Sequence, residues 1–343
     1  MKIVVLCGGL TSERDVSLTT GMMVAKALRA PDRQCAVVDL FLGIEQPITD
    51  MDAFFASGGS VYNATIGDTA PDLQQLRAQR TDKSDSRIGP QVIKICQSAD
   101  IVFMALHGAD GEDGRVQALF DLLGIKYTGS GSVASALAMD KSLAKMVFAA
   151  HGIKTPSGFT ISTDEELPHI QLPCIVKPCS GGSSVATTLV EEKNQLDPAL
   201  QDVWQYDKYA VVEPYIKGRE IQVAVLGDRA LPPIELDYDS CIFDYVVKYQ
   251  SGACREICPA PISDELCLRL QEQALKAHRA LGLEVYSRAD FIVKDDEIYL
   301  LEVNTLPGMT ATSLVPQEAA AAGIDYLSLC EMIIDLSLQR FEQ

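Results

Sequence analysis

The side chains best suited to chemistry lie near residue 300. Two strand-like runs, 287–293 and 298–304, flank Lys294-Asp295-Asp296-Glu297. Side chains alternate along a strand, so Arg288 and Asp290 share one face of the first run, and Glu302 and Asn304 share one face of the second. A hairpin that sets Asp290 opposite Glu302 also sets Arg288 opposite Asn304. That register calls for an odd loop, Asp295–Glu297 between Lys294 and Ile298; a two-residue loop would turn Asp290 and Glu302 to opposite faces. Two carboxylates and a carboxamide brought together offer hard oxygen ligands for Mg²⁺. On residue types alone the pattern also fits a solvated face beside a turn.

A second candidate is the stretch Pro173-Cys-Ile-Val-Lys-Pro-Cys-Ser-Gly-Gly-Ser-Ser-Val185. It ends a strand at Lys177 and then turns through Gly181, Gly182, Ser183 and Ser184. Backbone N–H groups of such a turn can wrap phosphate oxygens while the lysine adds a point charge; a plain hairpin turn is the simpler alternative. The lysine precedes the glycines, so this is not GxxxxGK[ST], and Gly8-Gly9 does not complete GxGxxG. Glu13 follows the first strand, at the end of the sheet where open α/β folds bind ligands, although a helix-start charge would read the same way. His107 ends another apolar run, and Lys248-Tyr249 sits in a polar segment, 237–254.

Composition narrows the partners. With 29 Lys+Arg against 47 Asp+Glu the formal charge is −18, which disfavours nucleic acid and anionic membrane surfaces. One triphosphate held by local lysines and Mg²⁺ is not excluded. No apolar run reaches the roughly 18 residues of a membrane span. The start, MKIVVLCGGLTSERD, reads as a strand feeding a turn rather than an export signal. The ten cysteines show no paired CxxC, and Cys254-x₃-Cys258 has no nearby histidine, so reduced thiols in a cytoplasmic protein are expected.

The elements that must position these residues follow from the hydrophobic pattern. Apolar runs at 3–7, 36–40 and 101–106 predict buried parallel strands, with a helix carrying Val16, Met23, Val24, Ala27 and Leu28 on one face. Helix is also expected near 114–123, making a doubly wound α/β unit that ends near Gly129. The polar stretch 57–90 reads as an irregular insertion, helical around Leu73–Ala78. Helix is predicted over 133–151, strands at 158–161, 173–178, 184–190 and 209–216, and helices at 263–281 and 325–340.

Taken in order, GGLTSERDVS (8–17), ALHGADGEDG (105–114), YTGSGSVASALAMDK (127–141), VKPCSGGSSV (176–185), KGRE (217–220), FDYVVKY (243–249), SRAD (287–290) and LEVNTLPGMTATSLVP (301–316) resemble the D-alanine–D-alanine ligases of the ATP-grasp superfamily. These eight strings span nearly the whole chain. The resemblance implies an α/β fold, α+β in its later parts, in three domains: a doubly wound substrate-binding domain over 1–129 and two ATP-grasp subdomains over 130–215 and 216–343. It implies ATP with two Mg²⁺ or Mn²⁺ ions, phosphorylation of one D-alanine carboxylate, and attack by the amine of a second.

By the same resemblance Lys141, Lys177, Gly181, Gly182, Ser184 and Lys248 hold ATP, with Glu213 and Glu220 near adenine and ribose. Asp290, Glu302 and Asn304 hold the metals. Glu13 receives the ammonium of the first D-alanine, and Ser183 and Tyr249 join it in a relay beneath a lid formed by 237–254. Arg288 stabilises the tetrahedral oxyanion, and His107, Ser313 and Leu314 serve the substrates. Relatives often carry a charged residue before the glycines and a Gly after Val185, which this chain lacks. A homodimer is the expected assembly. A D-alanine–D-serine or D-alanine–D-lactate ligase is the alternative on this scaffold, and a non-catalytic nucleotide-binding protein a more distant one.

Overall fold

A computed structural model describes residues 1–62, 67, 71–182, 184–238, 240 and 253–342. Ser183, Lys248 and Tyr249, with most of the expected lid, lie outside the described residues.

The first three apolar runs form the predicted parallel sheet. Strand β1 (Lys2–Cys7) lies between β2 (Gln34–Asp39) and β3 (Ile101–Met104). Helix α1 (Arg14–Leu28) packs on β1, and α2 (Met51–Ser57), α3 (Leu73–Gln79), α4 (Val92–Gln97) and α5 (Arg115–Leu123) complete this part. Arg14 and Asp39 form a buried ion pair behind the turn at Gly8, where a Cβ would lie 2.5 Å from the Asp39 carboxylate. Only glycine fits there.

The helix predicted over 133–151 is two helices, α6 (Ser132–Met139) and α7 (Lys141–Ala150). Asp140 makes the break: its Oδ1 accepts from the N–H groups of Ser142 and Leu143 at 2.9 and 3.0 Å, an N-cap that starts α7 with Lys141 at its first position.

A four-stranded antiparallel sheet follows, built from β4 (Phe159–Ser162), β5 (Cys174–Pro178), β6 (Thr188–Val190) and β7 (Tyr209–Pro214) in the order β4-β7-β5-β6. Helix α8 (Leu196–Val203) covers it. The strand expected from residue 184 begins only at Thr188. Ser184 (φ +54°) and Ala186 (φ +52°) are left-handed, which no extended strand permits.

The last sheet has six strands: β8 (Arg219–Leu226), β9 (Arg229–Ala230), β10 (Ile234–Tyr238), β11 (Cys254–Ile257), β12 (Tyr286–Lys294) and β13 (Glu297–Asn304), ordered β11-β10-β8-β12-β13 with β9 on β8. Helix α9 (Asp264–Ala280) lies on its apolar face against Ile221, Val223, Ala289 and Phe291, and α10 (Leu314–Ala321) and α11 (Tyr326–Arg340) close the fold.

The β12–β13 hairpin pairs Arg288 with Asn304 and Asp290 with Glu302 as expected, but by a different device. Its loop is not the three residues Asp295–Glu297; Lys294 pairs with Glu297, leaving only Asp295 and Asp296. Their φ values of +50° and +63° suit the tight turn whose twist matches the strands. Such a loop alone would put Asp290 and Glu302 on opposite faces. A β-bulge corrects this, because Phe291 pairs with Leu300 and Leu301 is the extra residue.

Apolar packing joins distant parts of the chain. Leu329, Cys330, Ile333 and Ile334 of α11 share one buried cluster with β1–β3, Ala224, Tyr286 and Leu306. Ala134, Ala138, Ala144 and Phe148 of α6 and α7 belong to the core of the six-stranded sheet. Among the described residues the cysteines are free, and no helix is long and apolar enough to cross a membrane.

Candidate active site

A cleft of about 720 Å³ opens where the three sheets meet. Alternation along β8 and β12 sends Glu220, Gln222, Arg288 and Asp290 into it, while their neighbours fill the core beneath α9. The bulge lets consecutive residues of β13, Leu301 and Glu302, both face the cleft. From the other side come Lys141 at the start of α7, Lys177 at the end of β5, Glu213 on β7, and Gly181, Gly182 and Ser184 of the glycine loop. Glu13, after β1, closes the third side.

Lysines and carboxylates meet across this space. Lys141 Nζ lies 3.2 Å from Glu302 and donates to the Gly181 carbonyl at 2.9 Å. Glu213 is buried and accepts from both Lys145 and Lys177. Burial alone would raise the Glu213 carboxyl, but the two ammonium groups hold it below the ordinary range. Burial likewise pulls Lys177 down, and Glu213 and Glu302 override it, leaving this lysine above its usual value. Lys145 was not among the predicted site residues. Its signal is the four-residue step from Lys141, which places both on one face of α7.

Arg288 makes a bidentate pair with Asp290, Nε to Oδ1 at 2.7 Å and Nη2 to Oδ2 at 2.8 Å. Burial works against its charge, yet Asp290 holds the guanidinium above its ordinary value. The pairing engages Nε and Nη2 of the guanidinium. Asn304 Nδ2 donates to Asp290 Oδ2 at 3.0 Å, which leaves the amide oxygen as a donor atom. No cluster of three His, Cys, Asp or Glu side chains gathers among the described residues. Two carboxylates with a carboxamide are nonetheless a hard oxygen set, and nucleotide phosphates would complete the shell of Mg²⁺. The residues fit the ion.

Glu220 is different. Tyr238 donates to its Oε2 and Gln222 to its Oε1 at 3.4 Å, and burial pushes its carboxyl up to about 7. Neither Tyr238 nor Gln222 was foreseen.

The remaining predicted residues lie beside the cleft. His107 is buried; its Nδ1 meets the Leu306 carbonyl at 3.0 Å and its Nε2 the Thr20 hydroxyl at 3.2 Å. The Leu306 N–H is taken by Glu112 at 3.2 Å, so one turn of the parallel sheet grips both polar groups of that residue. Ser313 caps α10 by position, but its hydroxyl turns to Thr310, with the Thr310 N–H at 2.9 Å, rather than to its own helix. Leu314 packs its side chain against Ile234 and Leu236. A Cβ on Gly182 would lie 3.1 Å from Glu13 Oε2, so the glycine loop reaches over to the end of the parallel sheet.

A glycine-bearing antiparallel sheet and an acidic sheet closing on a cleft of this size define an ATP-grasp enzyme. The family model for the D-ala D-ala ligase N-terminus matches residues 2–130 and that for the C-terminus matches 147–335, so the chain belongs to the D-alanine–D-alanine ligase family. It is 41% identical to the D-alanine–D-alanine ligase of Pediococcus pentosaceus over 340 residues, 97% of each chain. It is 39% identical to that of Lacticaseibacillus casei, over 99% of this chain and 97% of the relative. Among solved structures, the Bacillus anthracis D-alanine–D-alanine ligase complexed with ATP matches with a TM-score of 0.77 and 30% identity, covering 100% of this chain and 99% of that one.

Proposed function

We propose that this chain joins two D-alanines into D-alanyl-D-alanine, converting ATP to ADP and phosphate, for the cell-wall precursor. The observation that carries this reading is the convergence of Glu13, Lys141, Lys177, Arg288, Asp290 and Glu302 on one cleft. A carboxylate and an amine do not condense unaided in water, and a phosphoryl group turns the carboxylate oxygen into a good leaving group.

In this proposal Glu13 receives the first ammonium, and the glycine loop beside it brings the nucleotide's terminal phosphate to the first carboxylate. Lys141 and Lys177 neutralise phosphate charge, as does Lys248, and Glu220 accepts ribose hydroxyls with Glu213 near the base. Asp290, Glu302 and Asn304 would hold Mg²⁺ or Mn²⁺, two ions in all, which would supply charge neutralisation on the phosphates. The first carboxylate oxygen bonds to the terminal phosphorus as the bond to the bridging oxygen breaks and ADP leaves; the second amine, its protons lost to solvent, then bonds to the acyl carbon, and the Arg288 guanidinium meets the oxyanion that develops. Collapse expels phosphate. The N–H groups at the start of α10, with Ser313 and Leu314, receive the second carboxylate, and His107 fixes the wall behind the first. Ser183 and Tyr249 complete the relay from Glu13.

We divide the chain into 1–129, 130–215 and 216–343, each holding one sheet, with α6, α7 and α11 shared between them. A homodimer in the cytoplasm belongs to the same proposal, and free thiols suit that compartment. The test is Mg²⁺-dependent phosphate release from ATP with D-alanine, D-serine and D-lactate. Release with D-alanine alone is expected. Release only when D-lactate or D-serine is added would favour the alternative acceptors, and none with any of them would overturn the ligase reading.

A further inference from the structure

The segment between α2 and α4 has no counterpart in the proposed chemistry, yet it reaches the cleft. Helix α3 packs Leu76, with Leu73 beside it, against Leu10 and Phe41, and both Leu10 and Leu73 line the cleft next to Glu13. The chain after α3 folds around the buried Arg80. This guanidinium pairs with Asp82, donates to the Ser86 carbonyl and lies 5.1 Å from the Phe41 ring centre. That turn delivers Arg87 to the parallel sheet.

Arg87 then makes two kinds of contact. Its Nε lies 2.6 and 2.7 Å from the two carboxylate oxygens of Asp110, and its Nη2 donates to the Leu10 carbonyl at 3.0 Å. Leu10 is three residues before Glu13, and Asp110 three after His107. Asp110 is buried with φ +72°, a left-handed backbone that glycine would adopt more easily. A carboxylate held there at a conformational cost points to its partner. The two turns also meet directly, through Thr11 Oγ1 and the His107 carbonyl at 3.2 Å, and the Thr11 hydroxyl accepts the Glu13 N–H at 3.2 Å.

We propose that Arg87 is a positioning residue for the first amino-acid site: by bridging Leu10 and Asp110 it holds the turns bearing Glu13 and His107 in register. This rests on the ligase reading above. Arg87 itself touches no substrate; it fixes the spacing of the groups that do.

The test is steady-state turnover of the full chain with ATP, Mg²⁺ and D-alanine for wild type, Arg87→Ala, Arg87→Lys, Asp110→Asn and the Arg87→Ala/Asp110→Asn pair. Arg87→Ala should raise the half-saturating D-alanine concentration about tenfold or more, with kcat and half-saturating ATP within about threefold. Arg87→Lys should recover part of the loss. The double variant should be no worse than Arg87→Ala by more than about twofold, since both remove one interaction. An unchanged D-alanine requirement, or equal shifts for D-alanine and ATP, would overturn the proposal. If wild type does not turn over D-alanine, the ligase reading fails instead. Hydrogen exchange then still judges the clamp: Arg87→Ala should speed exchange over 107–113 and leave 141–150 unchanged, and equal protection at 107–113 in both proteins would refute it.

Discussion

Lys145 on α7 and Lys177 on β5 donate to the two oxygens of one buried carboxylate, Glu213. Three charges thereby balance to a single positive one, joining α7 to a four-stranded sheet whose apolar core it does not share. Replacing Glu213 by Gln leaves two ammonium groups without their counter-charge. Removing one partner from a buried ionic cluster costs about 3–5 kcal/mol, so E213Q should lower stability on that scale in urea unfolding. A loss below roughly 1 kcal/mol would mean the pair is effectively solvated.

Arg288 carries the oxyanion role in the proposed mechanism. Arg288→Ala should cut kcat by about 10²–10³-fold or more, the usual effect of losing such a donor. ATP affinity, read by calorimetry, should change little, because the lysines remain. Turnover within tenfold of wild type would remove Arg288 from the chemistry.

Glu302 balances Lys141 and, in the proposed mechanism, offers a metal oxygen. Glu302→Gln should raise the Mg²⁺ concentration needed for half-maximal rate and leave the D-alanine requirement nearly unchanged. A titration with Mg²⁺ at fixed ATP decides it; an unaltered midpoint would place the ion elsewhere.

The hairpin makes a register prediction. Deleting Leu301 removes the bulge yet leaves Glu302 opposite Asp290, because the register set by the two-residue loop then runs unbroken through that pair; turnover should persist, and its loss would show that the bulge itself serves the cleft. Asp296→Gly alone should stabilise by up to about 1 kcal/mol, since glycine adopts the left-handed turn more readily. Melting temperature and turnover read both.

His278 supplies the pH prediction. It is buried on α9 with Nδ1 2.7 Å from Ser287 Oγ, and burial holds its pKa down at about 4 against an ordinary 6.5. The unfolded chain therefore binds the proton first. Its neutral form contributes stability that is complete above pH 6.5 and declines as pH falls toward 4, by roughly 3 kcal/mol at most. Unfolding free energies between pH 7 and 4 should show this slope in wild type and a shallower one in His278→Asn. Parallel slopes would assign the acid loss to other groups.

Much of this was legible in the sequence, for reasons that differ by element. The strands β1, β2 and β3 are continuous apolar runs, and burial on both faces is the pattern such runs encode. The pairing of Asp290 with Glu302 followed from alternation, while the bulge at Leu301 did not, because no side chain marks which strand carries an extra residue. Strands β8 and β10 were missed. In β8, Glu220 and Gln222 face the cleft, so a buried strand reads as half solvated. Helix α2 has only seven residues and α4 only six, too short for a helical period to show. The ion pair of Lys145 and Glu213 joins residues 68 apart, a distance that spacing rules do not cross.

The grip on Leu306 by His107 and Glu112 has a mechanical consequence. Together with α11 it welds the parallel sheet to the six-stranded one, and β8 contributes to the apolar cores of both. The four-stranded sheet keeps a core of its own, drawn from residues 159–212, and meets that frame through charged contacts such as Lys145 with Glu213. Apolar interfaces resist separation while polar ones can re-form, so the seam along Lys145 and Glu213 is the weaker of the two joints. The four-stranded side of that seam carries the glycine loop, and the other side carries Arg288 and the acidic pair.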